Sequence, residues 1–166
     1  MTSTFFNRRK LMTSLAAVAS AVGAGTLMAT SAQAKKQDSS VHKLGRDGKP
    51  ADGKQMISAL ITHNGLIYIA GQGANSNGPV GKDDIDSHVT KVMENVKQLV
   101  EVGGGTMDSI TQLTVYLTSL DNFEAMNKIF KTYFPNGGPA RTTVAVAGLP
   151  GNSLVEINCI AAIVHK

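Results

Sequence analysis

Apolar positions along the chain recur with two periods, and between them they predict seven elements. Val89, Val92, Met93, Val96, Leu99 and Val100 fall at helical spacing and make one stripe. Asp84 or Asp86 can cap the start of that helix, and Gly103-Gly104-Gly105 stops it. A second stripe, Phe123, Met126, Phe130, Tyr133 and Phe134, opens at Asp121-x-x-Glu124, which resembles a capping box with Asp121 at the cap. Pro135-Asn136-Gly137-Gly138-Pro139 ends it. Met56–Thr62 and Leu66–Gly71 are β-prone runs on either side of His63-Asn64-Gly65, and an Asn-Gly pair in that place marks a hairpin. Ile110–Leu117 alternates as a half-buried strand, and Ala140–Ala147 and Leu154–Val164 read as two more. The order is β-β-α-β-α-β-β. Both helical stripes need an apolar sheet face, so the fold class is α+β, with two helices on one side of a mixed sheet.

The segment ahead of this pattern has a different character. Arg8, Arg9 and Lys10 precede an uncharged stretch from Leu11 to Ala29, and Ala32-Gln33-Ala34 offers a small-residue cleavage site. Residues 1–34 are therefore expected to be a signal peptide. The paired Arg8-Arg9 and the Gly/Ser/Thr/Ala-diluted apolar region resemble a twin-arginine signal, and the address would be the periplasm. The alternative is an uncleaved membrane anchor, because 19 uncharged residues approach the length of a membrane span. Residues 35–54 are polar, charged and rich in Gly, and are expected to be a flexible leader to a domain spanning 55–166.

Charge changes the picture only once the signal is removed. The chain carries 16 Lys+Arg and 12 Asp+Glu, and three of the cations lie in residues 1–34. Residues 35–166 hold 13 cations against 12 anions, a formal charge of +1 with no basic block, so the electrostatic footprint of nucleic-acid binding is missing. Cys159 is the single cysteine, which rules out an intramolecular disulfide and leaves stability to the core or to oligomerisation. His63, His88 and His165 are scattered through a turn, a helix start and the tail, a poor basis for a metal site. The glycine run 103–105 comes after a helix and lacks a Lys-Ser/Thr beyond it, so it reads as a helix stop and not a phosphate loop.

The last two strands hold the best candidates for chemistry. Alternation groups Val155, Ile157, Cys159, Ala161 and Ile163 on one face, which should meet the helices, and places Cys159 in the core. Glu156 and Asn158 then lie on the far face, and Arg141 is expected there with them. That face also carries Leu154, Ile160, Ala162 and Val164, and another copy of the chain is its candidate cover. An Arg and a Glu there read either as an interface salt bridge or as a ligand site.

At these residues the chain resembles the RidA (YjgF/YER057c) family, from Ile61 to Val164. The matching pieces are Ala70-Gly71-Gln72, Val92-Met93-Glu94-Asn95-Val96-Lys97, Val115-Tyr116-Leu117-Thr118, Asp121-Asn122-Phe123-Glu124-Ala125-Met126-Asn127, Pro139-Ala140-Arg141-Thr142-Thr143-Val144, Leu149-Pro150 and Val155-Glu156-Ile157. The resemblance implies a chorismate-mutase-like fold and a homotrimer with clefts between neighbouring subunits. It also implies that Arg141 grips the carboxylate of a 2-imino or enamine acid, and that Glu156 positions the water that releases ammonia and a 2-keto acid. No cofactor or metal is implied. Asn127 matches a recurrent asparagine, whose role would be a hydrogen bond bracing the site.

Three substrate-lining positions depart from the family. Ile57 stands where deaminating members have a tyrosine, Ala70 replaces a frequent serine before Gly71, and Thr143 replaces a frequent cysteine. Ile57 and Ala70 point to a larger or more apolar imino acid. The loss of the tyrosine keeps a second function open, a non-catalytic trimer that binds small carboxylates through Arg141. A holdase-like envelope protein is the third.

Overall fold

The structure is a computed structural model and describes residues 39–74 and 84–164. The expected export signal 1–34 and most of the Gly/Asn/Ser loop after residue 73 lie outside the described residues, as does His165. Within residues 36–166, one compact unit, six strands and two helices succeed one another. They are β1 (His42–Leu44), β2 (Leu60–His63), β3 (Leu66–Gly73), α1 (Ile85–Val102), β4 (Ile110–Leu117), α2 (Phe123–Thr132), β5 (Ala140–Ala145) and β6 (Val155–Ala162). The sheet order is β1-β2-β3-β6-β4-β5. Among the described strands only the neighbours β4 and β5 pair in parallel, as a strand pair bridged by a crossover helix must, so the sheet is mixed.

The stripes read from the sequence form the core. Val89, Val92, Met93, Val96, Leu99 and Val100 of α1 are fully buried, against Ile67, Leu113, Val115, Leu117, Ile157 and Ala161 of the sheet. Met126 and Phe130 bring α2 into the same cluster, together with Phe134 just beyond its end. A large-to-small change in such packing costs about 2–5 kcal/mol, so these residues fix the platform on which the site is built. Asp84 caps α1 by accepting from Ser87 N at 2.7 Å. Asn64 (φ 49°) and Gly65 (φ 75°) make the hairpin turn, with the two positive φ values that such a turn demands.

Three expectations are corrected. Residues 35–54 are not simply an unstructured leader, because β1 lies within them and pairs Leu44 with Leu60. Backbone pairing supplies what the polar sequence His42-Lys43 lacks in hydrophobicity. The first hairpin strand begins at Leu60 and not at Met56, so Ile57 belongs to an irregular segment and is 66% exposed. Asp121 does not cap α2: it sits in a short 3-10 turn, Leu120–Asn122, whose own cap is Ser119, accepting from Asp121 N at 3.1 Å.

Candidate functional site

The first half of the site is a cleft of about 650 Å³ at one edge of β3. The β2 strand ends at Leu60, opposite Ile69, and Ala70 N still donates to Ala59 O at 3.1 Å, so Gly71 to Gly73 are left without a described strand neighbour on that side. A bulge sets Ala70 and Gly71 opposite the single Asn158 of β6, since Ile69 pairs with Cys159 and Gln72 with Ile157. The bulge brings Gln72 to the helix side, where it is 3% exposed. The cleft therefore reaches both faces of the sheet. Lys91, Asn95 and Gln98 of α1 line it from one side, and Glu156 from the other.

Glycine is required where Glu156 meets β3. A Cβ built on Gly71 would fall 2.9 Å from Glu156 Cδ and nearer still to Oε1. The carboxylate thus occupies the space that a side chain at residue 71 would take. The turn Pro150–Asn152 forms the adjoining wall, anchored by buried Ser153, whose Oγ donates to Val155 O (2.6 Å) and accepts from Ala74 N (2.9 Å). A shallower hollow shares Gly71, Pro150 and Glu156 and adds Tyr116 and Asn158. Asn158 Oδ1 is buried there with no hydrogen-bond partner, a free acceptor beside the Glu156 carboxylate.

The second half lies at the other end of the sheet. Arg141 of β5 pairs in register with buried Leu113, and so faces the helices. Its Nη2 donates to Asn127 Oδ1 at 2.8 Å, and its guanidinium lies 4.7 Å from the Phe130 ring centroid and 5.8 Å from that of Phe123. Burial lowers its pKa, with no carboxylate among the described residues paired to it in compensation. Thr143 is two residues along on the same face, its Oγ1 buried without a partner.

These positions correct the expected shared face. Arg141 is on the helix side and Glu156 is on the far side, level with Tyr116 and Val144. Alternation had grouped the residues of each strand correctly, but it cannot say which group of an edge strand turns toward the helices. From strand spacing and rise, the Cα atoms of Arg141 and Glu156 lie roughly 14 Å apart, with β4 between their strands. One chain brings Ile57, Ala70, Gly71 and Glu156 together, and separately Arg141, Asn127 and Thr143.

Residues 50–163 match the family described as endoribonuclease L-PSP. The chain belongs to that family. It is similar to protein mmf2, mitochondrial, of Schizosaccharomyces pombe, at 34% identity over 61% of this chain and 83% of that one. It is 31% identical to Reactive Intermediate Deaminase A, chloroplastic, of Arabidopsis thaliana over 64% of this chain and 58% of that one. A solved structure of YyfA from Yersinia pestis, a protein of the conserved Rid family, superposes with a TM-score of 0.64 at 31% identity, covering 75% of this chain and all of the other. Membership of the Rid family, expected from the sequence pieces, is borne out, and so is the chorismate-mutase-like fold of two helices on a mixed sheet.

Among residues typical of a site, several prove structural. Cys159 is buried, and burial pushes its thiol up to about 12. His88 is fully buried and accepts from Leu154 N at Nδ1 (3.0 Å), tying α1 to the strand that carries Glu156. Among the described residues no group of His, Cys, Asp and Glu is placed to hold a metal. The sequence placed Asn158 on the far face and Gln72 in a matching piece without giving either a role, and it passed over Arg46 and Lys91. Gln72 had a signal, a polar residue between glycines in a strand, whereas Arg46 lies in the polar leader and had none.

Proposed function

We propose that this protein is a 2-imino acid (enamine/imine) deaminase that works as a homotrimer in the periplasm, with each site built from two copies. The observation that carries it is the separation of Arg141 from Glu156 within one chain. A half-buried, uncompensated cation at one sheet edge and a cleft holding a carboxylate at the other are complementary halves, and neither is a site alone. The far face that carries Glu156 also bears Tyr68, Tyr116, Val144 and Ile160, and among the described residues no helix packs over it, which favours burial against a second copy. Export rests on the sequence of residues 1–34 alone.

In this reading, Arg141 of one subunit reaches into the neighbour's cleft and holds the substrate carboxylate through two parallel N–H donors. Asn127, Phe123 and Phe130 fix the guanidinium, so little ordering remains to be done on binding. Glu156 and Asn158 hold a water over the imine carbon. Glu156 takes a proton as the water oxygen bonds to that carbon, and a proton is returned to nitrogen. The new hydroxyl then passes its proton through Glu156 to nitrogen as the C–N bond breaks with its electron pair leaving on nitrogen, giving a 2-keto acid and ammonia. An imine is already electrophilic, so positioning and one base suffice, and no step requires a metal or cofactor.

The test is a coupled assay on the chain lacking residues 1–34. An amino-acid oxidase generates imines, and semicarbazide traps whatever survives. Less trapped imine with the wild type but not with Arg141→Ala supports the deaminase. No difference for any substrate supports the second reading, a carboxylate-binding trimer, favoured by the exposed Ile57 in place of the tyrosine that closes the site in deaminating relatives.

A further inference from the structure

The cleft beside Glu156 contains two cations that the deamination chemistry does not use. Arg46 Nη2 donates to Gln72 Oε1 at 2.6 Å. The orientation of that amide is decided by its other end, because Gln72 Nε2 donates to Ala70 O (2.7 Å) and Gly71 O (3.1 Å). A buried, doubly tied glutamine thus presents its oxygen to Arg46 and holds the guanidinium at the cleft wall. Only one of the five N–H donors of Arg46 is occupied by a described residue, and no described carboxylate pairs with it. Lys91 lines the same cleft from α1. Glu156 is the one acid among the lining residues, so the cleft has an excess of one positive charge before a neighbour's Arg141 is added.

We propose that Arg46, supported by Lys91, is a subsite for a second carboxylate, so that the preferred substrate is a 2-imino dicarboxylic acid. The proposal rests on the deaminase reading, in which Arg141 of a neighbouring copy takes the carboxylate next to the imine. Three cations then face two substrate carboxylates and Glu156, and the occupied site is electrically balanced. The expectation of a more apolar substrate came from Ile57 and Ala70 on one wall. Arg46 and Lys91, both exposed to solvent at the cleft, add a cationic part to that same wall, and a guanidinium held in place by Gln72 pairs with a carboxylate better than with an alkyl chain.

The experiment compares imines made from aspartate and from asparagine, which differ only in the charge of the side-chain end, with full-length protein and the semicarbazide trap. Wild type should favour the aspartate-derived imine at least about tenfold in kcat/KM, equivalent to about 1.4 kcal/mol. Arg46→Met should bring the ratio close to one, and Arg46→Lys should leave it in between. A ratio near one in wild type, or one unchanged by Arg46→Met, overturns the subsite. Calorimetric binding of succinate and of its monoamide, to wild type and Arg46→Met, separates the two readings. Arg46-dependent selection of succinate with no imine hydrolysis keeps the subsite and ends the deaminase reading. Hydrolysis without any acid preference does the reverse, and neither hydrolysis of any imine nor selective binding of succinate removes both.

Discussion

Asn127 Oδ1 accepts from Arg141 Nη2 at 2.8 Å while the guanidinium rests over the Phe130 ring, so the arginine is braced on its own subunit before any ligand arrives. Removing the arginine should lose charge-assisted bonds to a substrate carboxylate, about 3 kcal/mol or a hundredfold and more in kcat/KM. Asn127→Ala leaves the charge and removes the brace, and should cost about tenfold, mostly in KM, because the guanidinium must then be ordered on binding. Steady-state kinetics of both variants on one imine check this. Equal losses would mean that Asn127 does more than position Arg141.

Gly71→Ala places a methyl group where the Glu156 carboxylate now lies. Residue 71 is exposed and does not have a positive φ, so the backbone tolerates alanine and the collision falls on Glu156 alone. Imine turnover should fall about ten- to a hundredfold through kcat, with thermal stability changed by less than about 1 kcal/mol. Thermal unfolding beside the coupled assay separates the two effects. A large drop in stability would show that the glycine serves the bulge and not the carboxylate.

Cys159 gives a prediction about pH. Burial raises its thiol from 9.0 to about 12, so an unfolded chain ionises at lower pH than the folded one. The unfolded state then holds fewer protons above pH 9, and this contribution to stability, complete below that pH, is lost as pH rises towards 12. In denaturant titrations, wild type should lose more stability than Cys159→Ala over that window. The native thiol should also resist a disulfide reagent at pH 8 and react on unfolding.

Much of the fold was legible because it depends on local rules. The α1 stripe, the Asn64-Gly65 turn and the cap at Asp84 each carry their own signal, and the sequence pieces around Arg141 and Glu156 pointed to the right strands. What was not legible depends on partners distant in sequence. The strand His42–Leu44 exists because β2 is there to pair with it. The bulge at Ala70-Gly71 turns Gln72 to the helix side with Ile67 and Ile69, and strict alternation has no term for one extra residue. The face of Arg141 depends on how an edge strand lies beneath α2, which periodicity within the strand does not encode. Arg46 was hidden by its setting, since one arginine among polar neighbours looks like any solvated charge.

The placement of Arg141 and Glu156 on opposite faces also has a genetic consequence. If each catalytic centre draws one of these residues from each of two neighbours, a chain without the arginine and a chain without the glutamate are inactive alone but can rescue one another. Randomly mixed trimers of Arg141→Ala and Glu156→Gln chains in equal amounts would have about a quarter of their centres intact. Two null alleles expressed in one cell would then behave as a partial wild type, whereas a single chain that carried both residues into its own centre would show no such complementation.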